Sequence, residues 1–303
     1  MHSGTAVAQS AGAKLRSTRV RLFQFSVLVL ASIVLWWRPI SSTVQLALAN
    51  DAYTHLLLIL PLAAALMYFN RRSFQIGSKQ NIARAFWIIP AVAAAIRLAT
   101  WSPFADTSNW LSQEILLLVA FWIGSVIACF GLPLLRSHLF AFCFLFLLVP
   151  LPESAIDRLT EGLQDQSAVA SELLFRAARV PVTRDEVLLS IPALDIEVAR
   201  ECSSIRSSTM LVVATLVLAH LFLRSWWRQV LLVAISIPLS VAKNAVRIFT
   251  IAELGTRVDP AYLHGRLHHQ GGVVFLALAL FVDFLILWLL KRTEAGRFAR
   301  AKS

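Results

Sequence analysis

Residues 272–290 read GVVFLALALFVDFLILWLL, an apolar stretch in which Asp283 is the single charged side chain. A helix needs roughly 20 mostly apolar residues to cross the hydrocarbon core of a bilayer, so this stretch predicts a membrane span. Similar stretches recur along the chain. Together they predict an all-α polytopic membrane protein, a bundle of about eight transmembrane helices at residues 22–37, 54–69, 85–100, 110–130, 134–151, 208–223, 229–246 and 272–290.

The composition agrees with a chain whose solvent is mostly lipid. Of 303 residues, 58% are hydrophobic and 15% are charged, whereas soluble domains average about half apolar and a quarter charged. The net charge of +11 comes from short basic clusters between apolar runs rather than from one continuous face, so no nucleic acid partner is expected. Cys129 and Cys143 fall inside apolar runs, which argues against a disulfide framework. No cofactor or metal is expected.

The distribution of Lys and Arg predicts the orientation, because cytoplasmic loops carry the excess of these residues. With a cytoplasmic N-terminus, the inner side holds Lys14, Arg16, Arg19, Arg21, Arg71, Arg72, Lys79, Arg84, Arg136, Arg224, Arg228, Lys291, Arg292, Arg297, Arg300 and Lys302. The short outer loops offer Arg38 and Arg97, and two longer outer segments carry, among others, Arg158, Arg176, Arg257 and Arg266. The sequence therefore predicts that both termini are cytoplasmic.

One outer segment, residues 152–201, is too long for a simple connector and is expected to fold as a cap. Its first part has apolar residues at the spacing of an amphipathic helix, and residues 187–198 alternate like extended chain. The predicted organisation is a cytoplasmic N-terminal tail at 1–21, transmembrane helices 1–5 at 22–151, a periplasmic cap at 152–201, transmembrane helices 6–8 at 202–290 and a basic cytoplasmic tail at 291–303.

Three kinds of reactive side chain reach the same outer face once this topology is set. Cys202 precedes the sixth span, Arg247 closes the seventh, and the adjacent His268 and His269 precede the eighth. A thiol is the least handicapped side-chain nucleophile near neutral pH, and an imidazole can take its proton and return it to a leaving amine. A guanidinium stays charged, so Arg247 is suited to an oxyanion or a substrate carbonyl. We expect a cysteine-centred site.

Other polar side chains are candidates for a supporting role. Ser203 and Arg206 follow the thiol closely, and Asn244 precedes Arg247 by three residues, which places both on one helical face. Plainer explanations exist, because a Cys at a span end is often a small apolar residue and an Arg there often extends to the interface. Asp283 lies deep in the last span, where an acid usually faces a bundle partner that the sequence does not identify.

Four motifs in this order resemble those of the exosortase/archaeosortase family. They are DAYTH at 51–55, ECSSIRS at 201–207, NAVRI at 244–248 and HHQGG at 268–272. The family has a Cys in a Ser-rich motif, an Arg in an Asn-x-x-Arg motif and a late His, in a multi-spanning protein of about this length. Ser203-Ser204 stands where many members have Ser-Gly. His268 fits the family spacing best, and His269 stays an alternative.

The resemblance implies a membrane cysteine transpeptidase of the bacterial inner (plasma) membrane with its active site facing the periplasm. Cys202 would form an acyl-thioester, Arg247 would stabilise the oxyanion or orient the substrate, and His268 would transfer protons. The implied partners are membrane lipid and exported proteins with a C-terminal sorting tail, made of a short motif (often Pro-Glu-Pro), a transmembrane helix and a basic cluster. The acceptor is unidentified, with lipid- or polysaccharide-linked groups as the options.

Two other functions remain open at this stage. A membrane thiol protease or acyltransferase would use the same three residues with water or a lipid amine as the acceptor. A transporter or channel without covalent chemistry would instead use Arg247, Lys243 and Asp283 to line a path. The loss or survival of function after substitution of Cys202 separates the transporter from both enzymes.

Overall fold

The computed structural model describes residues 2–71, 86–100, 109–192, 194–198, 205–261 and 272–300, with residues 2–17 and 295–300 described as backbone. The chain forms two compact units, Met1–Pro152 and Glu153–Ser303. Six described helical segments are long and apolar enough to cross a membrane: Thr18–Leu35, Asp51–Phe69, Trp110–Phe130, Ile205–Phe222, Trp226–Arg257 and Gly272–Glu294. The predicted all-helical, multi-pass character is therefore confirmed at this level.

The first unit is entirely helical over its described residues. Its elements are α1 (His2–Leu35), α2 (Trp37–Ala49), a 3-10 turn (Asp51–Tyr53), α3 (Leu56–Phe69), α4 (Ile88–Ala99), α5 (Trp110–Phe130), α6 (Leu132–Ser137), α7 (Leu139–Phe144) and a second 3-10 turn (Leu145–Leu148). The predicted span 110–130 matches α5 at both ends. The helix α1 begins well before residue 22, and α2 occupies a stretch that was predicted as an outer loop.

Two of the eight predicted spans are shorter or interrupted in the structure. The span predicted at 85–100 contains the 12-residue helix α4, and the span predicted at 134–151 is divided among α6, α7 and the second 3-10 turn. The interruption at His138 follows from its backbone, which leaves helical geometry with φ −122° and ψ 25°. A count of eight is consequently not established by helix length.

Helices of the first unit pack closely where small side chains meet. A Cβ at Gly124 of α5 would lie 2.6 Å from Ile89 Cγ2 of α4, so only glycine permits this approach. The indole Nε1 of Trp122 donates to Ser32 Oγ at 2.9 Å, which joins α5 to α1. Small residues and hydrogen bonds of this kind replace the hydrophobic effect as the source of helix association in lipid.

A buried ion pair joins α4 to α5. Arg97 Nε lies 3.4 Å from Glu114 Oε2, and both side chains are nearly inaccessible at 4% and 3%. Arg97 also donates to Leu35 O at 3.2 Å, and Thr100 Oγ1 donates to Glu114 Oε1 at 3.3 Å. Arg97 was predicted to belong to an outer loop; the structure corrects this, because the residue lies in the last turn of α4 and is buried.

Removing one partner of this pair is expected to destabilise the first unit. In Glu114→Ala the Arg97 guanidinium stays buried without its carboxylate, so the free energy of unfolding should fall by roughly 3 kcal/mol. The double substitution Arg97→Met and Glu114→Leu should recover most of that loss. The measurement is reversible unfolding of the purified protein in detergent. Arg176→Ala, which removes a largely exposed ion pair with Glu172, is the control and should cost less than about 1 kcal/mol.

The second unit combines helices with a small sheet. Its elements are α8 (Glu153–Ala177), β1 (Thr183–Asp185), β2 (Leu188–Ile191), β3 (Leu194–Glu197), α9 (Ile205–Phe222), α10 (Trp226–Arg257) and α11 (Gly272–Arg300). The predicted amphipathic helix is α8, and the predicted extended chain supplies β2 and β3. The strands pair antiparallel in the order β1-β2-β3, and they form a small sheet in a structure that otherwise agrees with the all-α prediction.

The sheet and α8 share a hydrophobic cluster with the last part of α10. Phe175 of α8, Leu189 of β2 and Val198 after β3 are fully buried against Ile248 and Ala252 of α10. Arg184 of β1 also contacts α8, since its Nε donates to Glu172 Oε2 at 3.0 Å. Along β2 the buried residues are Leu189 and Ile191, two positions apart, and this buried face packs in the cluster that joins the sheet to the helix pair.

Helix α10 ends eleven residues after residue 246, where the predicted span ended. This is the correction that matters most for the site. The charge at Arg247 lowers the local hydropathy, but the residues beyond it keep a buried face at Ile248, Ile251, Ala252 and Gly255. Because that face packs under α8 and the sheet, the chain stays helical to Arg257. Arg247 is therefore inside a helix rather than at its end.

The opposite end of α10 is fixed by α11. The backbone N–H groups of Arg224 and Ser225 donate to the Glu294 carboxylate at 3.2 and 2.8 Å, which satisfies donors just before the helix begins. Arg228 Nη1 donates to Leu290 O at 2.8 Å. Residues 291–300, predicted as part of a tail, thus continue α11, and Glu294 takes part in helix packing.

Candidate functional site

Four of the predicted site residues lie outside the described part of the chain. They are Cys202, Ser203, His268 and His269. Arg247, Asn244 and Arg206 are described. The described part of the site therefore consists of the residues that hold the two ends of the Cys202 segment and of the helix that carries Arg247.

Arg247 is buried within α10, with 6% of its surface exposed. A helix rises about 1.5 Å per residue, so Arg247 lies about 32 Å from Trp226 along the helix path. That length matches the roughly 30 Å hydrocarbon thickness of a bilayer. If Trp226, which is largely exposed, marks one membrane boundary, a helix of this length would bring Arg247 to the level of the other boundary, and ten further residues of α10 follow it.

Helix α8 covers α10 on both sides of Arg247. Asn244, one turn before it, is fully buried and its Nδ2 donates to Ser167 Oγ of α8 at 3.4 Å. Ile248 and Ala252, which follow it, pack in the cluster that contains Ala168 and Phe175 of α8. The expectation that Asn244 and Arg247 share a helical face agrees with their common burial. Arg206, in contrast, is exposed in the first turn of α9.

The chain is held at fixed points on both sides of the segment that contains Cys202. Before it, Val198 is fully buried, its N–H donates to Val187 O at 2.9 Å and its carbonyl accepts from Gln164 Nε2 at 2.9 Å. After it, α9 begins at Ile205, and Ser207 in its first turn is buried. Both points belong to the unit that holds Arg247.

Lys243 is a buried residue of this region that the sequence interpretation did not place in the site. It was considered as a residue that would line a transport path, and the structure buries it, with 6% of its surface exposed. Its Nζ donates to Ser207 Oγ of α9. The available signal was its spacing of four residues before Arg247, which puts both cations on one face of α10. The sequence could not show that this face is covered.

Two other predictions from the sequence can be located. Asp283, fully buried in α11, has Thr215 of α9 as a partner, with 3.0 Å between Thr215 Oγ1 and Asp283 Oδ2. The early DAYTH motif forms the 3-10 turn and lies in the first unit. There Tyr53 donates to Leu151 O at 2.8 Å, and His55 Nδ1 lies 3.1 Å from Ala52 O. Over the residues that the structure describes, no group of three or more His, Cys, Asp or Glu side chains is placed to hold a metal ion.

The comparison with known protein families identifies the family of this chain. A family model described as transmembrane exosortase matches residues 36–285. The chain belongs to the transmembrane exosortase family. No curated protein and no solved structure matches it. The match extends over both units of this exosortase, and it includes α10 with Arg247 and the positions of Cys202 and His268.

The described geometry of this exosortase suits electrostatic catalysis beside a membrane. A buried guanidinium such as that of Arg247 acts in a medium of low effective dielectric, where its interaction with a developing negative charge is stronger than in water. Its helix is fixed at one end by Glu294 and at the other by α8 and the sheet. The backbone that carries the cation is therefore held in place before a substrate arrives, which favours such stabilisation.

Proposed function

We propose that this exosortase is a membrane cysteine transpeptidase that cleaves a C-terminal sorting tail from exported proteins. The observation that carries the proposal is the burial of Arg247 at the end of the membrane-thickness part of α10, in a chain of the exosortase family. Cys202 is the nucleophile, Arg247 the cation at the carbonyl oxygen, and His268 the proton carrier, with His269 as the alternative to His268. Asn244, Ser203 and Arg206 are supporting residues.

The reaction has two halves that balance in atoms and protons. His268 takes the proton of the Cys202 thiol, the sulfur attacks the scissile carbonyl carbon, and the C–N bond breaks as the imidazolium protonates the leaving amine. The tail departs and leaves an acyl-thioester on Cys202. An acceptor nucleophile, deprotonated by His268, then attacks the same carbonyl. The C–S bond breaks, and the imidazolium returns the proton to the thiolate, which restores the thiol. Arg247 faces the oxyanion in both halves.

The proposed topology places this chemistry at the periplasmic surface of the bacterial inner membrane. Both termini are cytoplasmic, and the chain crosses eight times if α4 and the α6–α7 region each count as a crossing. The charge distribution supports it, because Lys and Arg beside the spans are concentrated on the side of the termini. Helix α8 and the three strands form the outer cap, which agrees with their packing on the part of α10 beyond Arg247.

The proposed substrates are membrane-anchored proteins whose tail combines a short Pro-Glu-Pro-like motif, a transmembrane helix and a basic cluster. A scissile bond at the membrane surface matches a site built at the level of Arg247 on α10. The proposed acceptor is a nucleophile carried by a lipid or a polysaccharide. A thiol protease that uses water would share the first half-reaction and differ in its product.

The test is capture of the acyl-enzyme. The purified full-length protein is mixed with a tail-bearing reporter without an acceptor, quenched with acid, digested and analysed by mass spectrometry. We expect an acyl adduct on the peptide containing Cys202 that hydroxylamine removes, and no adduct on Cys129 or Cys143. Cleavage of the reporter without an adduct on Cys202, or equal labelling of the exposed Cys143, would contradict the proposal. Mass analysis of the product after addition of water, lipid amine or polysaccharide distinguishes hydrolysis from transfer.

A further inference from the structure

Lys243 is a buried cation with an unusual set of partners. It lies in α10 with 6% of its surface exposed, and its Nζ donates to Ser207 Oγ. Within the described ranges no carboxylate forms an ion pair with it. Of the other buried cations, Arg97 has the Glu114 carboxylate and Arg228 has the Leu290 carbonyl. In the part of the chain that the structure describes, the polar contact of Lys243 is therefore the Ser207 hydroxyl.

Stability alone does not explain a lysine at this position. Removal of an ammonium group from water is costly, and one neutral hydroxyl offsets little of that cost. A second cation, Arg247, lies one turn away on the same helical face, and like charges at this spacing repel. Methionine has a similar length and would fill the same space without these penalties. The ammonium group of Lys243 therefore needs another explanation, which is the part of the structure that its hydrogen bond holds in place.

What it fixes is the first turn of α9 against α10. Ser207 follows Cys202 by five residues, so it marks where the thiol segment joins a helix. Lys243 and Arg247 are on the same face of α10. The contact from Nζ to Oγ therefore connects the exit of the thiol segment to the helix that carries the guanidinium. The entry of that segment is held separately, by Gln164 and Val187 at Val198.

We propose that Lys243 is a positioning residue for the Cys202 thiol, and that it acts through its hydrogen bond to Ser207. The bond sets the position of α9 along α10 and thereby the placement of the thiol relative to Arg247. The catalytic meaning of this placement rests on the proposed function, whereas the coupling between Lys243, Ser207 and the thiol does not. Lys243 itself touches neither the substrate nor the reacting atoms.

The experiment measures the rate at which N-ethylmaleimide alkylates Cys202 in the full-length protein in lipid nanodiscs, with Cys143 of the same molecule as the reference. Wild type is compared with Lys243→Met, Ser207→Ala and the double variant. Each single variant should change the rate ratio of Cys202 to Cys143 by roughly fivefold, the equivalent of one hydrogen bond. The double variant should equal the single ones, because both remove the same bond. Ser207→Thr keeps the hydroxyl and should restore the wild-type ratio.

Lys291→Met is the matched control, since it removes an exposed lysine of α11 whose Nζ lies 5.0 Å from the ring centroid of Phe222, the last residue of α9. It should leave the ratio unchanged. Unchanged ratios in both single variants, or independent effects that multiply in the double variant, would overturn the inference. Alkylation needs no substrate. If the variants change the alkylation ratio as expected but the wild-type protein processes no reporter, the proposed function is refuted and the positioning role is not. If the wild-type protein processes the reporter but the variants leave the alkylation ratio unchanged, the positioning role is refuted and the proposed function is not.

Discussion

Replacement of Cys202 by alanine is expected to reduce processing of a tail-bearing reporter to background, a loss of at least about a thousandfold, as found when a catalytic nucleophile is removed. The reason is chemical, because both proposed half-reactions pass through the sulfur and alanine has no group that can form the thioester. The assay is co-expression of the reporter with wild type or Cys202→Ala, followed by separation of processed and unprocessed product. Processing by Cys202→Ala at the wild-type rate would exclude a cysteine enzyme.

The other two cysteines provide matched controls for that experiment. Cys129 is buried in α5 and Cys143 is exposed in α7. Alanine at either position removes a thiol of the first unit, where it acts as a small apolar side chain, so processing should stay near the wild-type level. If Cys143→Ala were as inactive as Cys202→Ala, the assay would be reporting a loss of folding rather than of chemistry.

The sequence predicted those parts of the fold that depend on one segment at a time. Helix α5 was predicted at its observed bounds because its apolar run ends at Gly131, whose φ of 87° favours glycine and stops the helix. The amphipathic helix α8 was predicted from its apolar stripe, and β2 and β3 from loose alternation around residues 187–198. In each case the secondary structure that the local pattern predicts is also the one that the tertiary packing of the segment requires.

The sequence did not predict features that depend on a partner distant in the chain. Hydropathy falls at Arg247, and nothing in the sequence of α10 itself shows that Ile248 and Ala252 pack against α8. The predicted span therefore ended too early, at residue 246. The same is true of Arg97, whose burial depends on Glu114. Lys243 belongs with them, because its contact Ser207 lies on another helix. The pattern of one helix identifies a face, and only tertiary packing shows what covers that face.

Arg247→Ala is expected to lower kcat/KM for the reporter by a factor on the order of 100 to 1,000, the usual effect of removing one donor to an oxyanion. Arg247 is buried before the substrate binds, in the part of α10 that packs against α8. Arg247→Lys keeps a positive charge but loses the planar fork of donors, so it should recover part of the rate and remain roughly tenfold or more below wild type. The measurement is initial-rate kinetics with purified protein in lipid.

Arg228→Ala is the control for the loss of a buried arginine from the same helix. Arg228 is as buried as Arg247, but it lies at the opposite end of α10, where it donates to Leu290 O. Its removal should lower thermal stability and leave the rate per folded molecule close to that of wild type. Equal kinetic losses in the two variants would refute a special role for Arg247.

The division of the Arg247→Ala effect between kcat and KM decides which of two roles the guanidinium has. A cation that stabilises the oxyanion acts only in the transition state, so kcat and kcat/KM should fall by the same factor. A cation that only orients the substrate carbonyl contributes equally to ground state and transition state, so KM should rise while kcat is kept. The burial of Arg247 favours the first result, because a desolvated charge interacts most strongly with the oxygen that becomes negative.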